Sequence, residues 1–308
     1  MVGGGQGSQT EATPFDHVAG PFMAFDQRFV IRCSDPALAG FLRELYAPMA
    51  LMSTVTEDAA SPDPTAAIYL VAAPTGNRDG YVSRDGVRIG SSPRRARVLG
   101  YLQWAINRQV IGCSADERLI LHASAAEHDG MAVVIPAVME SGKTTLVTGL
   151  LDRGLGYLTD EAVAVSEQLR VEGYRKPLSI DPGSFEVLAH HRPELPENLS
   201  GYLDDQWQIA AHQIGPVVAE SRLGLLVFPT YVRGAATSFE RLSPASVVAL
   251  AAPCTFGPEG EPIGLARLQR LASIAAQVPA YRLISGYLDE ACTAVIDAST
   301  SLSTSHPT

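Results

Sequence analysis

The middle of the chain reads Met131-Ala-Val-Val-Ile-Pro-Ala-Val-Met-Glu-Ser-Gly-Lys-Thr-Thr-Leu146. Its apolar start predicts a buried strand, and its end predicts the first turn of a helix. Between them lies the second half of the phosphate-binding pattern G-x-x-x-x-G-K-[ST], in the order Ser141, Gly142, Lys143 and Thr144. In that pattern the loop amides face an anion, the lysine reaches the outer phosphates, and the hydroxyl binds Mg²⁺. The alternative is an ordinary helix start with an exposed lysine.

Two residues of this loop depart from the pattern. Ala137 stands where the pattern has its first glycine, and Glu140 places a carboxylate in a loop that would cradle negative charge. At a few ångströms and an effective dielectric near 20, that repulsion costs on the order of a few kcal/mol. We therefore expect Glu140 to point away from the ligand. The two departures favour an alternative function, a non-catalytic nucleotide-binding or partner-binding module.

An acidic pair follows the loop after one helix and one return strand. The helix predicted from Leu146 to Asp152 ends near Gly154. The next segment, 157–165, is a β-branched run with Asp160 and Glu161 at its edge. A loop that holds phosphates needs a metal ion, and usually a carboxylate to position the metal or to accept a proton. The alternative for the pair is a solvated turn before a strand.

Other polar residues are candidates for the same site. His122 lies in an apolar segment, 119–126, that predicts a strand next to the one leading into the loop. A lone histidine on a strand is more often structural than catalytic. Arg175 and Lys176 follow an expected turn at Glu172-Gly173. They could neutralise a transferred phosphoryl group, or they could end a strand in solvent.

Two further pairs are better explained as surface residues. Adjacent side chains such as His190 and His191 do not converge on one ion in a regular helix or strand, and no carboxylate is suitably spaced. We expect a surface helix end there, not a metal site. Arg267 and Arg270 lie three residues apart on a predicted helix, which is more typical of a solvated face than of the site.

Composition limits the class of protein. The chain has 308 residues, of which 46% are hydrophobic and 18% are charged, as in ordinary globular proteins. A formal net charge of -10 argues against duplex nucleic acid as a partner, because phosphate-backbone binding needs clustered lysine and arginine. Self-association into a homo-oligomer stays open.

Cysteine spacing and hydropathy indicate the compartment. The four cysteines form no C-x-x-C pair, so the sequence suggests neither a zinc knuckle nor a dense disulfide framework. No basic-then-apolar signal region and no apolar run long enough to cross a bilayer occurs in the sequence. We therefore expect a cytoplasmic protein without a membrane partner.

The order of predicted elements divides the chain into four parts. Residues 1–20 are expected to form a disordered tail, and residues 21–115 a small α+β unit of strands, a helix and a hairpin. Residues 116–298 form the core around the loop, and residues 299–308 a polar tail. The fold class predicted for the core is α/β with a mixed sheet.

Taken together, the motifs resemble the catalytic core of HPr kinase/phosphorylase and its bacterial relatives. These relatives include HPr-kinase-related serine kinases of lasso-peptide and other ribosomal peptide pathways. The shared order is His122, then Gly142-Lys143-Thr144, then Arg153-Gly154, then Asp160-Glu161. The resemblance covers about residues 119–180 and is weaker on either side.

The resemblance implies an HPr kinase/PEP carboxykinase-like fold with a P-loop core. It also implies an ATP-dependent kinase, an HPr-kinase-like phosphotransferase that uses Mg²⁺. The acceptor would be a serine-type hydroxyl on a peptide, a protein or a small molecule. The residues that would bind the nucleotide are Ser141, Gly142, Lys143, Thr144 and Thr145.

The resemblance further implies catalytic roles. Asp160 would be the general base that takes the proton of the acceptor hydroxyl, and His122 would lie near the phosphate. Thr144 would ligate Mg²⁺ with the help of Glu161. In the enzyme that names the family the acidic pair is two aspartates, so Glu161 is a departure.

Overall fold

The structure is a computed structural model, and it describes residues 15–51, 65–114, 118–138, 141–257 and 263–303. Those ranges contain six α-helices and fifteen β-strands. The strands form a five-stranded sheet, an eight-stranded sheet and a two-stranded sheet. The architecture is therefore mixed α/β, as the sequence predicts.

The five-stranded sheet belongs to the N-terminal part of the chain. Its strands are β1 (His17–Ala24), β2 (Gln27–Cys33), β3 (Ala67–Ala72), β4 (Gly80–Arg84) and β5 (Val87–Ser92), in that order across the sheet. Only β2 and β3 are parallel neighbours. Two helices, α1 (Pro36–Leu45) and α2 (Arg95–Ser114), share one hydrophobic core with the sheet.

Helix α1 shows how local sequence determines an element. Asp35 is its N-cap residue and accepts a hydrogen bond from Leu38 N at 2.9 Å, and Pro36 occupies the first turn. Leu38 and Leu42, four residues apart, are buried on one face. The capping residue and the apolar spacing together account for both the start and the orientation of the helix.

The eight-stranded sheet forms the core of the rest of the chain. Its strands are β6 (Leu119–His128), β7 (Met131–Pro136), β8 (Gly156–Thr159), β9 (Ala162–Val165), β10 (Arg170–Gly173), β13 (Glu220–Tyr231), β14 (Ser238–Arg241) and β15 (Ala280–Ser285). The order is β10-β9-β6-β7-β13-β15-β14, with β8 beside β6. β13 runs parallel to β7 and to β15, whereas the remaining pairs are antiparallel. Because β10 also pairs with β13, five strands close into a ring.

Helices cover both faces of this sheet. α3 (Lys143–Leu151) and α6 (Leu288–Ser303) pack on one face, and α4 (Pro244–Ala251) and α5 (Leu265–Gln277) pack on the other. On β7, Val133 and Ile135 face the first pair of helices, and Ala132 and Val134 face the second. Burial of both faces explains the continuous apolar run of β7. None of the described helices has the length and apolar character needed to cross a membrane.

The described elements extend past both predicted tail boundaries. β1 begins at His17, inside the expected N-terminal tail, and Gly20 and Pro21 within it hid the strand pattern. At the other end, α6 continues to Ser303. It continues because Ser299 is buried, and the hydroxyl of Ser299 lies 2.7 Å from Nδ1 of His128 on the sheet.

The turn expected at Glu172-Gly173 is wrong, because both residues belong to β10. A Cβ atom on Gly173 would lie 2.0 Å from the carbonyl oxygen of Leu158, so a side chain there would collide with the backbone. Glycine is present because two backbone segments approach closely, and not because the chain turns. This close approach lies just before Arg175 and Lys176. A small antiparallel pair, β11 (Leu178–Ile180) and β12 (Trp207–Ile209), follows them in the fold.

Candidate functional site

The candidate site lies where β7 passes into α3. Gly142 has φ of +85°, in the left-handed region, and therefore suits glycine. Helix α3 begins at Lys143, and no side chain caps its N-terminus. The first helical hydrogen bond runs from Leu146 N to Gly142 O. The amides before Leu146 thus have no carbonyl partner within the helix and can receive an anion.

Two polar side chains at this turn have no partner among the residues that the structure describes. The hydroxyl oxygen of Ser141 is buried and has no hydrogen-bond partner. Lys143 is only 8% exposed, and no described residue forms a hydrogen bond or an ion pair with its ammonium group. A buried charge without a counter-ion is unfavourable. Both groups would be satisfied by an oxyanion at the start of α3.

The acidic pair meets the loop at Asp160. Thr144 Oγ1 donates a hydrogen bond to Asp160 Oδ1 at 2.7 Å, and Ser124 Oγ approaches the same oxygen at 3.3 Å. The other oxygen, Oδ2, accepts a hydrogen bond from the amide of Ser179 at 2.9 Å. Asp160 is only 3% exposed, so these bonds replace the water that the carboxylate would otherwise bind.

Lys176 lies between the two members of the acidic pair. Its ammonium group is 3.5 Å from Asp160 Oδ2 and 3.6 Å from Glu161 Oε2. It also donates hydrogen bonds to Ser179 Oγ at 2.8 Å and to Pro177 O at 3.0 Å. A buried ion pair is tolerated when further hydrogen bonds satisfy the charges, as they do here.

Two buried hydroxyl groups fix the positions of the acidic pair and Lys176. Tyr157 donates a hydrogen bond to the carbonyl of Lys176, and Thr159 donates one to the carbonyl of Tyr174, both at 2.7 Å. The hydroxyl of Thr159 also accepts from the amide of Glu161 at 3.0 Å. The turn between β8 and β9 is thereby tied to the segment that follows β10.

His122 and Glu161 form the more open side of the site. Glu161 Oε1 lies 3.9 Å from His122 Nε2, and 26% of the Glu161 side chain is exposed. The pKa of His122 is lowered to about 4, mainly by burial and secondly by the positive charge of Lys143. Asp160 opposes this shift, and Lys176 adds to it. His122 is therefore neutral near pH 7, and its contact with Glu161 is not an ion pair.

The remaining predicted site residues lie elsewhere or beyond the described ranges. The hydroxyl of Thr145 is 2.5 Å from that of Ser184, on the segment after β11. Arg270 donates to the carbonyl of Val165 at the far end of β9, and Arg267 lies beside Gly257. Glu140 lies outside the described residues, so its orientation stays a prediction.

Arg175 differs from its neighbour in the sequence. Burial raises the pKa of Glu172, and the charges of Arg118 and Arg175 oppose that rise. The charge of Arg175 therefore acts on Glu172, which lies in β10. Of the two adjacent cations, Lys176 is the one beside the acidic pair.

Sequence reasoning missed several residues of the site. Ser124 lies two residues after His122 on β6, and the two-residue period of a strand could have found it. Lys143 and Lys176 are the only lysines in the sequence, a signal that also went unused. Ser179 gives no local signal, because its amide reaches Asp160 only through the path of the chain into β11.

Comparisons with known proteins give a likeness among solved structures. No family model matches the chain, and no curated protein matches it. Among solved structures, the chain is similar to the Hpr(Ser) kinase/phosphatase from Coxiella burnetii, with 14% sequence identity and a TM-score of 0.31 over 61% of this chain and 99% of that one. The matched protein bears the name of the family that the motifs resemble. At this TM-score the match carries no argument about the function of this chain.

We expect His122 to reduce the stability of the fold in mild acid. The folded protein keeps this imidazole neutral down to about pH 4, whereas the unfolded chain binds the proton near pH 6.5. The unfolded state thus binds more protons between these values, and stability falls as the pH falls through them. His122→Gln should remove this component. Its free energy of unfolding in urea should decrease less between about pH 7 and about pH 4.5 than that of the natural protein. An equal decrease in both proteins would contradict a neutral, buried His122.

Proposed function

We propose that the chain is a kinase that transfers the γ-phosphoryl group of ATP to a serine-type hydroxyl on a peptide, a protein or a small molecule. The observation that carries this proposal is the 2.7 Å hydrogen bond from Thr144 Oγ1 to Asp160 Oδ1. In P-loop NTPases, Mg²⁺ is held by the hydroxyl of the loop and by an aspartate on a neighbouring strand. The same two groups meet here, and the hydroxyl belongs to Thr144, which directly follows the buried Lys143.

Triphosphate binding fits the start of α3. The free amides, the positive end of the helix dipole and the ammonium group of Lys143 all favour negative charge there. The hydroxyl of Ser141 supplies a further donor, which has no partner in the described part of the chain. Ala137 does not argue against binding, because this residue does not have a positive φ and needs no glycine.

A magnesium ion fits the oxygen groups beside the lysine. We propose that Thr144 and Asp160 hold it, because a hydroxyl and a carboxylate are the hard oxygen ligands that Mg²⁺ prefers. The ion would supply positive charge to the β- and γ-phosphates. Lys176 offsets part of the negative charge of the acidic pair, which would otherwise repel the nucleotide.

The contacts support a division of roles opposite to the one that the family resemblance implies. Asp160 is buried and already accepts hydrogen bonds on both oxygens, so an acceptor hydroxyl has little access to it. Glu161 is partly exposed. Its carboxylate oxygens lie 3.6 Å from Lys176 Nζ and 3.9 Å from His122 Nε2, so neither contact is a close hydrogen bond. We therefore assign the base to Glu161 and the metal to Asp160.

His122 suits a position next to the transferred phosphoryl group because it is neutral. A neutral imidazole can donate one hydrogen bond and accept another without adding charge to the site. Its ring also packs against Phe256, with the centroids 5.7 Å apart, which limits its movement. We propose that His122 positions the γ-phosphate or the acceptor hydroxyl for in-line attack.

We place this activity in the cytoplasm, where ATP is available. Cys33, Cys254 and Cys292 are buried free thiols, and burial raises the pKa of each. A raised pKa keeps a cysteine in its unreactive thiol form. These residues are thus suited to a structural role in a reducing compartment.

Lys143→Met tests whether the chain binds and uses a nucleotide. Methionine preserves most of the buried stem and removes the charge, so we expect the fold to survive and Mg·ATP affinity to fall by about 100-fold or more. Affinity is measured by calorimetry, and transfer by release of label from γ-labelled ATP. Arg241→Met, at an exposed cation of the edge strand β14, is the matched control and should retain full affinity. Unchanged transfer by folded Lys143→Met would rule out the proposed kinase.

The acidic pair is tested by exchanging each carboxylate for its amide. If Asp160 holds the metal, Asp160→Asn should raise the Mg²⁺ concentration needed for half-maximal Mg·ATP binding by about tenfold or more. If Glu161 is the base, Glu161→Gln should leave that concentration nearly unchanged and reduce transfer by about 10²- to 10⁴-fold. The reverse pattern would restore the division of roles that the family implies. Normal Mg·ATP binding without transfer in the natural protein, over a panel of hydroxyl acceptors, would favour the binding module.

A further inference from the structure

A second cluster of polar side chains lies at the opposite end of α3. Asp152 follows the last residue of the helix and lies between two imidazole rings. Its Oδ1 is 2.6 Å from His191 Nε2, and its Oδ2 is 3.1 Å from His190 Nε2. The nitrogen and oxygen atoms that the three residues offer all lie within 4.8 Å of one another.

No spacing in the sequence indicates that these three side chains converge. His190 and His191 are adjacent, and in a regular helix or strand their rings would diverge. Here they lie in a short 3₁₀ turn, Ala189–His191, with ring centroids 4.1 Å apart. The carboxylate comes from a residue 38 positions earlier in the chain than His190, which spacing along the sequence could not reveal.

We propose that Asp152, His190 and His191 bind a divalent transition-metal ion, with Zn²⁺ as the best match. Two imidazole nitrogens and a carboxylate oxygen form a ligand set for Zn²⁺, Ni²⁺ or Co²⁺, whereas Mg²⁺ prefers oxygen ligands alone. A zinc ion with bonds of about 2.0–2.1 Å holds its tetrahedral ligands roughly 3.3 Å apart. Small rotations of the three side chains therefore let an ion replace the present hydrogen bonds.

Electrostatics at this position favour a cation. Asp152 is the C-cap of α3, where the carbonyl groups of the last turn carry partial negative charge. The neighbouring cation, Arg153, is engaged elsewhere, because its guanidinium donates to Gly149 O and pairs with Asp289. Open coordination positions would be filled by water, because 58% of the His190 side chain is exposed.

The site is separate from the proposed nucleotide site. Nine helical residues lie between the start and the end of α3, which corresponds to about 13 Å at 1.5 Å per residue. The two sites also differ in their ligand atoms. Thr144 and Asp160 offer only oxygen, whereas His190 and His191 offer nitrogen. Zinc binding at Asp152 therefore does not depend on the kinase proposal, and either can fail alone.

A bound ion would hold the segment 182–191 against α3. At the first turn of α3 this segment contacts the helix through the hydroxyls of Ser184 and Thr145. At the last turn it contacts the helix through the two histidines. Between these contacts, Leu188 is fully buried in the core that α3 shares with the sheet. We infer a structural metal that stabilises this segment against the helix of the loop.

Thermal melting and Co²⁺ absorption test the site on the full chain after removal of metals with a chelator. Zn²⁺ in modest excess should raise the melting temperature of the natural protein by several degrees, because the ion binds only the folded state. Co²⁺ should give visible absorption bands typical of nitrogen and oxygen ligands in four- or five-fold coordination. Both responses should be lost near pH 5, where protonated imidazoles cannot bind a metal.

His190→Ala is the decisive variant, since this exposed side chain can be removed without disturbing the core. It should weaken zinc binding by about tenfold or more, and Asp152→Asn with His191→Ala should abolish it. His212→Ala is the matched control. It removes the imidazole of another histidine–carboxylate pair, His212 Nε2 to Glu44 Oε1 at 2.7 Å, and should respond to Zn²⁺ like the natural protein. Absence of both responses in the natural protein, or an undiminished response in His190→Ala, would overturn the proposal.

Discussion

The hydrogen bond from Thr144 to Asp160 holds the candidate site together. It joins the first turn of α3 to the turn between β8 and β9. Asp160 can be buried there only because Thr144, Ser124 and the amide of Ser179 satisfy its oxygens, while Lys176 offsets its charge. Loss of one of these partners would leave a buried carboxylate partly unsatisfied, so the loop, the acidic pair and β11 depend on one another.

The distribution of cations is the second constraint. The chain carries a formal net charge of -10 and has only two lysines, both nearly buried at the site. An ammonium group is a compact charge on a flexible stem, and it fits narrow buried positions that a planar guanidinium would not. Lys176 is bound by the acidic pair, whereas Lys143 has no described partner. Within the described residues, Lys143 thus offers a positive charge that no carboxylate pairs with, at the place where we propose that a triphosphate binds.

Local patterns in the sequence predicted the parts of the fold that depend on neighbouring residues. β7, Gly142 and α3 follow from an apolar run, a glycine and the start of a helix directly after it. Contacts between distant segments could not be predicted in this way. The closed ring of five strands, the close approach at Gly173 and the convergence of Asp152 on two histidines each join residues far apart in the sequence. The contact between Thr144 and Asp160 could be predicted only because a known motif relates the two residues.

In the proposed kinase, Lys143 meets the phosphates of a nucleotide beside Asp160. Because the sequence holds only two lysines, protein labelled with ¹³C at the lysine ε-carbons should give two side-chain signals, assigned by replacing one lysine. NMR spectra of this protein recorded during a titration with Mg·ATP test the claim directly. Nucleotide binding at Lys143 predicts a large, saturable shift of the Lys143 signal and a smaller one of the Lys176 signal. No shift of the Lys143 signal at millimolar Mg·ATP would contradict it.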